Sequence, residues 1–356
     1  MGRKKHYLEY CGLPWHIAMI DSTGLFGPCC GKFIGKIKLI RDVQNFWNGK
    51  EYRKVRKNLI KGKSKGICAD CIYLKVMLNK EYLDEDEVGK IWGCPRPQNP
   101  AVQVEQKPKY MAVNFTSRCN LSCFMCRDPK TNPLDERNFP EMPFELIQAL
   151  AVNYFRDLES LITAGSGEIF VHRNLLKIID IIQQYRPKLV TTSTNGSFNV
   201  SEDLWRRFIS VNDLLMFSVD SVSEELHKEI RGFDMKKLFR NLDIVNKIRD
   251  NEFPNFKYGF SYVIMKKNVH EMFDFVRKAI DEWGASQINF MHVHGHDDES
   301  VLLEKEWQLK YNKQLTLIKD YDIDKDIVME IPDFAYDADG NVLTDKNNRT
   351  INSVER

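Results

Sequence analysis

The chain has 356 residues, of which 43% are hydrophobic and 29% charged, and its net charge is +2. These values are typical of a globular protein with one large core and a smaller second domain. No run reaches the about 18 consecutive apolar residues that span a membrane, and the basic start MGRKKHYLEYCG lacks the apolar segment of a secretion signal. We therefore expect a cytoplasmic protein without a membrane partner. Its nine cysteines are expected to bind metal in a reducing setting, not to form disulfides.

Positive charge is concentrated near the N-terminus. Residues 1–100 contain 19 Lys and Arg against 10 Asp and Glu, a net +9, and the other 256 residues contain 33 against 40, a net −7. Much of the excess lies in residues 50–65, KEYRKVRKNLIKGKSK. A basic helix of this kind binds either nucleic acid or an acidic partner such as a reductase. Alternatively, its charged side only faces solvent. Because aromatic residues are sparse there, we do not expect a nucleic-acid partner.

The first hundred residues predict short elements. Residues 15–21 and 25–29 flank Gly24 and predict a hairpin. Residues 42–61 predict a helix, and the Pro-rich residues 94–108 predict a linker.

Six cysteines lie in this N-terminal part. A set of four thiolates, as Cys11, Cys29, Cys68 and Cys71 would supply, suits either a structural zinc ion or an iron–sulfur cluster. The remaining two, Cys30 and Cys94, are spare.

From residue 109 onward, strand-like and helix-like patterns alternate. The strand candidates are residues 109–116, 160–165, 189–195, 214–221, 257–266 and 287–294. Six such repeats predict an α/β fold with a parallel sheet, arranged as a partial (β/α)6 TIM-like barrel. Functional residues are expected at the C-terminal ends of its strands. Residues 326–356 have no predicted role.

Three closely spaced cysteines follow the first of these strands. They form the pattern Cys119-x3-Cys123-x2-Cys126 within SRCNLSCFMCRDP. Three thiolates are an incomplete set for tetrahedral zinc, but they can hold three irons of a [4Fe–4S] cluster and leave the fourth iron open. An open iron binds substrate or cofactor, so the spacing indicates catalysis.

This motif resembles the cluster-binding loop of the radical S-adenosylmethionine (SAM) enzymes. The resemblance implies that the open iron chelates SAM. It also implies that an electron from a flavodoxin or ferredoxin cleaves SAM to a 5′-deoxyadenosyl radical. The radical would then remove a hydrogen atom from a small polar molecule or a peptide. Two alternatives remain open: a redox-neutral radical epimerase, and a zinc-stapled nucleic-acid-binding module.

The N-terminal cysteines resemble those of the Twitch/SPASM auxiliary domain of the same family. The resemblance implies one auxiliary iron–sulfur cluster, expected to be [4Fe–4S], on Cys11, Cys29, Cys68 and Cys71. Such a cluster suits a net oxidation, either dehydrogenation or crosslinking. The implied organisation is a small cysteine-rich α+β domain over residues 1–93, a linker over 94–108, the radical SAM core over 109–325 and a tail over 326–356.

The resemblance also implies binding residues at the strand ends. Gly165, Gly167 and Glu168 resemble the family's glycine-rich segment, which meets the amino group of SAM. The other residues expected to contact SAM are Met125, Ser193, Asn195, Ser218 and Arg231. Residues that would contact substrate are Asp220, His292 and His294. Met125 departs from the family's pattern, because an aromatic residue usually occupies that position.

Overall fold

The structure is a computed structural model. It describes residues 11–29, 33–63, 65–69, 94, 96–126, 140–163, 165, 167–293, 296–323 and 326–331. The chain forms two compact units, the first from residues 1–118 and 139–190 and the second from residues 119–138 and 191–356. No helix within the described ranges is both long and apolar enough to cross a membrane.

The first unit begins with helix α1 (Leu13–His16) and the strands β1 (Ile17–Ile20), β2 (Leu25–Gly27) and β3 (Gly35–Lys36). The predicted hairpin is confirmed, because β1 and β2 pair antiparallel with Met19 opposite Gly27. Gly24 lies in its turn with φ +81°, a conformation that favours glycine.

The continuous helix predicted over residues 42–61 is wrong. The chain instead makes two 3-10 turns, Ile40–Gln44 and Phe46–Asn48, before helix α2 (Lys50–Ile60). The break occurs because Phe46 and Trp47 turn into the core, where the indole N–H of Trp47 donates to the carbonyl of Gln106 at 2.9 Å. Gly49 is extended at the N-terminus of α2.

The rest of the first unit consists of strand β4 (Tyr110–Val113), helix α3 (Phe144–Tyr154), strand β5 (Ser160–Thr163) and helix α4 (Leu175–Gln184). Strand β4 pairs parallel with β5 on one side and with β1 on the other. The N-terminal hairpin therefore extends the same sheet, in the order β5-β4-β1-β2-β3. Sequence patterns gave no sign of the β1–β4 pairing, which joins residues about ninety positions apart.

The second unit continues the alternation of strands and helices. Its strands are β6 (Leu189–Thr194), β7 (Leu214–Ser218), β8 (Lys257–Ile264), β9 (Gln287–His292) and β10 (Val328–Glu330). Its helices are α5 (Glu202–Ile209), α6 (Glu224–Arg231), α7 (Met235–Glu252), α8 (Met272–Asp281) and α9 (Lys305–Asp320). The strands run parallel in the order β10-β9-β8-β7-β6.

The predicted α/β class with repeated strand–helix units is confirmed. All six strand candidates are strands, each shorter than predicted by one to three residues at its C-terminal end. The α-helices and strands that were not predicted are α1, β3, α6 and β10. The core of the second unit lies on β8, where Tyr258, Phe260 and Tyr262 are buried and pack against neighbouring aromatic rings.

Candidate active site

The three-cysteine loop presents thiols of graded exposure. Cys123 is buried, Cys119 is half-buried and Cys126 is exposed. Burial raises the pKa of Cys123 to about 11, the nearby Arg231 opposes this, and the thiols of Cys119 and Cys126 add to the increase. Three thiols that influence one another in this way form a donor set, and cationic iron would favour their ionised forms.

The donor set fits a cluster better than a single metal ion. Among the described residues, no three His, Cys, Asp or Glu side chains converge as ligands of one ion. Thiolates that hold a cluster bind different irons, so they need not converge on one point. Cys119, Cys123 and Cys126 would therefore hold three irons and leave the fourth open.

The C-terminal end of helix α6 holds this loop in place. The carbonyl of Ile230 accepts the backbone N–H of Phe124 at 2.8 Å. The thiol of Cys123 lies 3.9 Å from the carbonyl of Arg231 and 4.0 Å from its Nη1. One turn of helix thus contacts the middle of the motif through both backbone and side chain.

Arg231 is itself held by a buried carboxylate. Its Nε donates to Oδ2 of Asp220 at 2.5 Å, and the Asp220 side chain is fully buried. The other oxygen of Asp220 accepts the N–H of Val263 at 2.7 Å. Burial lowers the pKa of Arg231, but Asp220 and the cysteine thiols outweigh it, so the pKa is raised overall. Burial raises the pKa of Asp220, against the opposing effect of Arg231.

The loop after β7 that carries Asp220 is fixed by a second set of hydrogen bonds. Asn268 Nδ2 donates to the carbonyls of Asp220 and Val263 at 2.8 and 2.9 Å. Oε2 of Glu271 accepts the hydroxyl of Ser221 at 2.6 Å and the N–H of Val222 at 2.9 Å. Sequence reasoning did not single out Asn268 or Glu271, because their partners are about fifty residues away.

The end of strand β6 is hydrogen-bonded to the start of the cysteine loop. Asn195 Nδ2 donates to Oδ1 of Asn120 at 3.0 Å and lies 3.7 Å from the sulfur of Cys119. Asn120 Nδ2 in turn donates to the hydroxyl of Ser197 at 2.7 Å. Asn195, predicted to contact SAM, is thus close to the predicted cluster ligand Cys119 and positions the residue beside it.

The other predicted contacts of the second unit lie at strand ends or in an apolar cluster. Ser193 and Ser218 are half-buried on adjacent strands, and the hydroxyl of Ser218 is 3.5 Å from that of Ser261. Met125 packs against buried Met265 and its apolar neighbours. An apolar surface of this kind suits one face of an adenine ring.

Phe124, beside Met125, has polar neighbours that sequence reasoning missed. Its ring packs against His296 at 5.4 Å, and Lys267 Nζ lies 4.7 Å from the ring centroid. His292 packs edge-on against Tyr311 at 5.2 Å. His294 lies outside the described residues.

The glycine-rich segment follows β5 in the first unit. A Cβ on Gly167 would lie 2.0 Å from the carbonyl oxygen of Thr116, so this position requires glycine. The N–H of Glu168 donates to the carbonyl of Arg118 at 2.8 Å, and Glu168 is buried. A Cβ on Gly165 would lie 2.4 Å from the side chain of Asn114. Both glycines therefore permit close contact with the chain that leads to Cys119.

The N-terminal cysteines that the structure describes lie in the first unit. Cys11, Cys29 and Cys68 are half-buried, while Cys71 and the spare Cys30 lie outside the described residues. Burial raises the pKa of Cys94 to about 12, so this thiol remains protonated and packs in the core.

The hydroxyl of buried Tyr52 is hydrogen-bonded to the backbone two residues before Cys29. The hydroxyl of Tyr52 lies 2.9 Å from the carbonyl of Gly27. Burial raises the pKa of Tyr52 well above its ordinary value, and Cys29 contributes to this increase. The hydroxyl therefore stays neutral.

Comparison with known protein families gives two matches. Residues 113–279 match the radical SAM superfamily, and residues 11–72 match the SPASM family, an iron–sulfur cluster-binding domain. The first range contains the Cys119, Cys123 and Cys126 motif, and the second contains Cys11, Cys29, Cys68 and Cys71. These matches assign SAM and [4Fe–4S] clusters as the cofactors.

Individual relatives match part of the chain. A probable GTP 3′,8-cyclase of Sulfurisphaera tokodaii is 26% identical over 189 residues, which are 52% of this chain and 56% of that protein. The antilisterial bacteriocin subtilosin biosynthesis protein AlbA of Bacillus subtilis is 25% identical over 183 residues, 49% of this chain and 37% of AlbA. The matches span about half or less of these relatives' own length.

The solved structures that are similar to this chain include the following two. AdoMet-bound, His6-tagged anSMEcpe has a TM-score of 0.46 and 18% identity, covering 58% of this chain and 56% of that one. Streptococcus suis SuiB bound to its precursor peptide SuiA has a TM-score of 0.45 and 10% identity, covering 85% and 69%. On the family matches, this chain belongs to the radical SAM superfamily and carries a SPASM-type iron–sulfur domain at its N-terminal end.

Proposed function

We propose that this protein catalyses a net oxidation, dehydrogenation or crosslinking, of a peptide or another small polar molecule. The observation that carries the proposal is the three-thiol set of Cys119, Cys123 and Cys126, which is one ligand short of a closed site. When bound, the cluster and SAM supply one-electron cleavage of SAM and removal of a hydrogen atom from the substrate. A redox-neutral epimerase is the alternative within the same family.

The protein's own residues bind and orient these groups. Helix α6 and the end of β6 fix the cysteine loop through Ile230, Arg231 and Asn195. The half-buried Ser193 and Ser218 would offer hydroxyls to the nucleotide, and Met125 would offer an apolar surface to its base. We retain Glu168 as the acceptor for the amino group of SAM, because its carboxylate is buried and held on a glycine-rich turn.

The direction of the reaction, a net oxidation, is supported by the second cysteine set. Removal of a hydrogen atom leaves one electron to be discharged from the substrate, and an auxiliary cluster is a suitable acceptor. Cys11, Cys29, Cys68 and Cys71 would hold that cluster within the residues matched by the SPASM family. The electron that starts each turnover would come from a flavodoxin or ferredoxin.

Both substrate classes have support among the relatives. AlbA is named for the biosynthesis of the bacteriocin subtilosin, which favours a peptide. The probable GTP 3′,8-cyclases are named for a nucleotide, which favours a small polar molecule. We place the peptide first because crosslinking, one of the two net oxidations that an auxiliary cluster would suit, is a reaction of peptides.

The test is anaerobic loading with iron and sulfide, followed by reduction in the presence of SAM. We expect about eight irons per chain, from two clusters of four, and release of 5′-deoxyadenosine. The triple variant Cys119→Ala/Cys123→Ala/Cys126→Ala should hold about four irons and release none. The matched control Cys11→Ala/Cys29→Ala/Cys68→Ala should also lose about four irons but still release 5′-deoxyadenosine.

Several outcomes would contradict the proposal. Stoichiometric zinc without iron would identify a zinc-stapled module instead. If the variant Cys119→Ala/Cys123→Ala/Cys126→Ala released as much 5′-deoxyadenosine as the unaltered protein, the assigned site would be ruled out. A product formed in heavy water in which one hydrogen is replaced by deuterium, without net loss of hydrogen, would identify the epimerase.

A further inference from the structure

We propose that a basic face on the N-terminal domain docks an acidic one-electron carrier protein. This basic face consists of the exposed residues of α2 and of the segment after it, Lys50, Arg53, Lys54, Lys57, Lys61, Lys63 and Lys65. The inference rests on the proposed function, because it requires an iron–sulfur centre in this domain. In turnover the centre would pass the one electron that it takes from the substrate to the oxidised carrier, without transfer of a proton or a bond. A reduced carrier would drive the same transfer in reverse, to the oxidised centre.

Helix α2 separates exposed and buried residues onto opposite sides. Lys50, Arg53, Lys54 and Lys57 recur at spacings of three, one and three, and all are exposed. Residues with this spacing share one side of a helix. The opposite side carries Tyr52, Val55, Arg56 and Leu59, all buried. The basic face therefore follows from the helical pattern and is not needed for packing.

Among the described residues of this domain, no carboxylate pairs with the positive charges of this face. Between residues 33 and 69, the described acidic residues are Asp42 and Glu51. Oδ2 of Asp42 accepts the backbone N–H groups of Lys38 and Leu39 at 3.2 and 3.0 Å. Across the described part of the chain, no ion pair joins the basic face to a carboxylate. A surface with this much charge of one sign attracts an acidic partner over several ångströms.

Position favours a redox partner over nucleic acid. The basic segment ends at Lys65, three residues before the predicted cluster ligand Cys68. The aromatic residues of this region, Phe46, Trp47 and Tyr52, are buried, so they are not available to stack on bases as single-stranded nucleic acid requires. Complexes between electron carriers are small and depend on charge, which an eleven-residue helix face can supply.

The test compares two charge-reversed variants of the iron-loaded full chain. Arg53→Glu/Lys54→Glu/Lys57→Glu reverses the basic face. Lys305→Glu/Lys313→Glu/Lys319→Glu is the matched control, because it changes the net charge by the same amount at exposed positions of helix α9 in the other unit. The probe is a reduced plant-type [2Fe–2S] ferredoxin, and the measurements are its affinity and its rate of reoxidation at low salt.

We expect the basic-face variant to bind ferredoxin about tenfold more weakly or worse, with a matching loss in reoxidation rate. The control should change by less than about twofold. The difference should shrink as salt is raised, because the screening length falls to about 8 Å at 0.15 M ionic strength.

Four results would overturn the inference. Equal losses in the two variants would show a general charge effect. The unaltered protein could have no measurable affinity for ferredoxin but bind single-stranded DNA or phosphatidylserine vesicles. If the basic-face variant then lost that binding, the face would be assigned to those partners. If the basic-face variant holds about eight irons and binds ferredoxin with unchanged affinity, the surface is rejected and the proposed function stays intact. About four irons would instead remove the auxiliary centre itself.

Discussion

Replacement of Asp220 by Asn tests how the cysteine loop is held. The carboxylate is fully buried, and Oδ2 lies 2.5 Å from Arg231 Nε. Asn keeps the size of the side chain and an oxygen for the N–H of Val263, so the main change is the loss of one charge. The guanidinium of Arg231, whose side chain is 9% exposed, would remain buried without its counter-ion.

The expected cost follows from the geometry. Charge centres about 4 Å apart interact by about 4 kcal/mol at an effective dielectric constant of 20. Removal of one partner of a buried pair typically costs about 3–5 kcal/mol, because an uncompensated charge remains. We therefore expect Asp220→Asn to lower the free energy of unfolding by about 3–5 kcal/mol. The assay is urea denaturation of the reduced, metal-free protein.

Two controls make the prediction specific. Asp157→Asn breaks the 2.6 Å pair with Lys107, whose side chains are 54% and 50% exposed, and should cost less than about 1 kcal/mol. The double variant Asp220→Asn/Arg231→Met removes both charges and should recover most of the lost stability. The reasoning is refuted if Asp220→Asn costs no more than Asp157→Asn, or if the double variant is no more stable than the single one.

Three further predictions concern other buried groups. Burial lowers the pKa of His227 from 6.5 to about 4. As the pH falls, the unfolded chain therefore binds a proton at His227 at a higher pH than the folded chain does. Stability should then fall by about 2 kcal/mol from pH 7 to pH 5, and His227→Leu should remove that part of the slope. Gly167→Ala, with its Cβ 2.0 Å from a carbonyl oxygen, should cost more than Gly232→Ala, which has open space and only a φ of +80° to strain it; equal melting-temperature losses would contradict this. Arg56→Lys should cost about 2 kcal/mol in urea, because the buried guanidinium lies 4.5 Å over Trp47; a loss below about 0.5 kcal/mol would refute the stacking argument.

The sequence predicted the strands well because each has a short apolar run and a clear boundary. It failed at α6, whose sequence EELHKEIR has few apolar residues and only eight positions. Local signals for this helix were nevertheless present. Ser223 accepts the N–H of Leu226 as an N-cap, and Gly232 ends the helix with φ +80°. Both positions can be read from a single sequence.

Long-range partners could not be predicted in this way. Strand β1 pairs with β4, and β10 pairs with β9, across separations that local periodicity does not encode. Sequence reasoning predicted that Arg231 contacts SAM. The structure shows that Arg231, the last residue of α6, forms a buried pair with Asp220 in the loop after β7. The assignment of Arg231 to SAM stays a prediction.

The Asp220–Arg231 pair is better explained by positioning than by stability. A buried ion pair contributes little net free energy compared with apolar side chains of similar volume, because desolvation offsets the attraction. Apolar side chains could therefore hold the end of α6 equally well. They could not supply the N–H groups of Arg231, whose Nη1 lies 4.0 Å from the sulfur of Cys123. Asp220 orients those groups toward a thiolate that, once it holds iron, would carry the negative charge that the guanidinium favours.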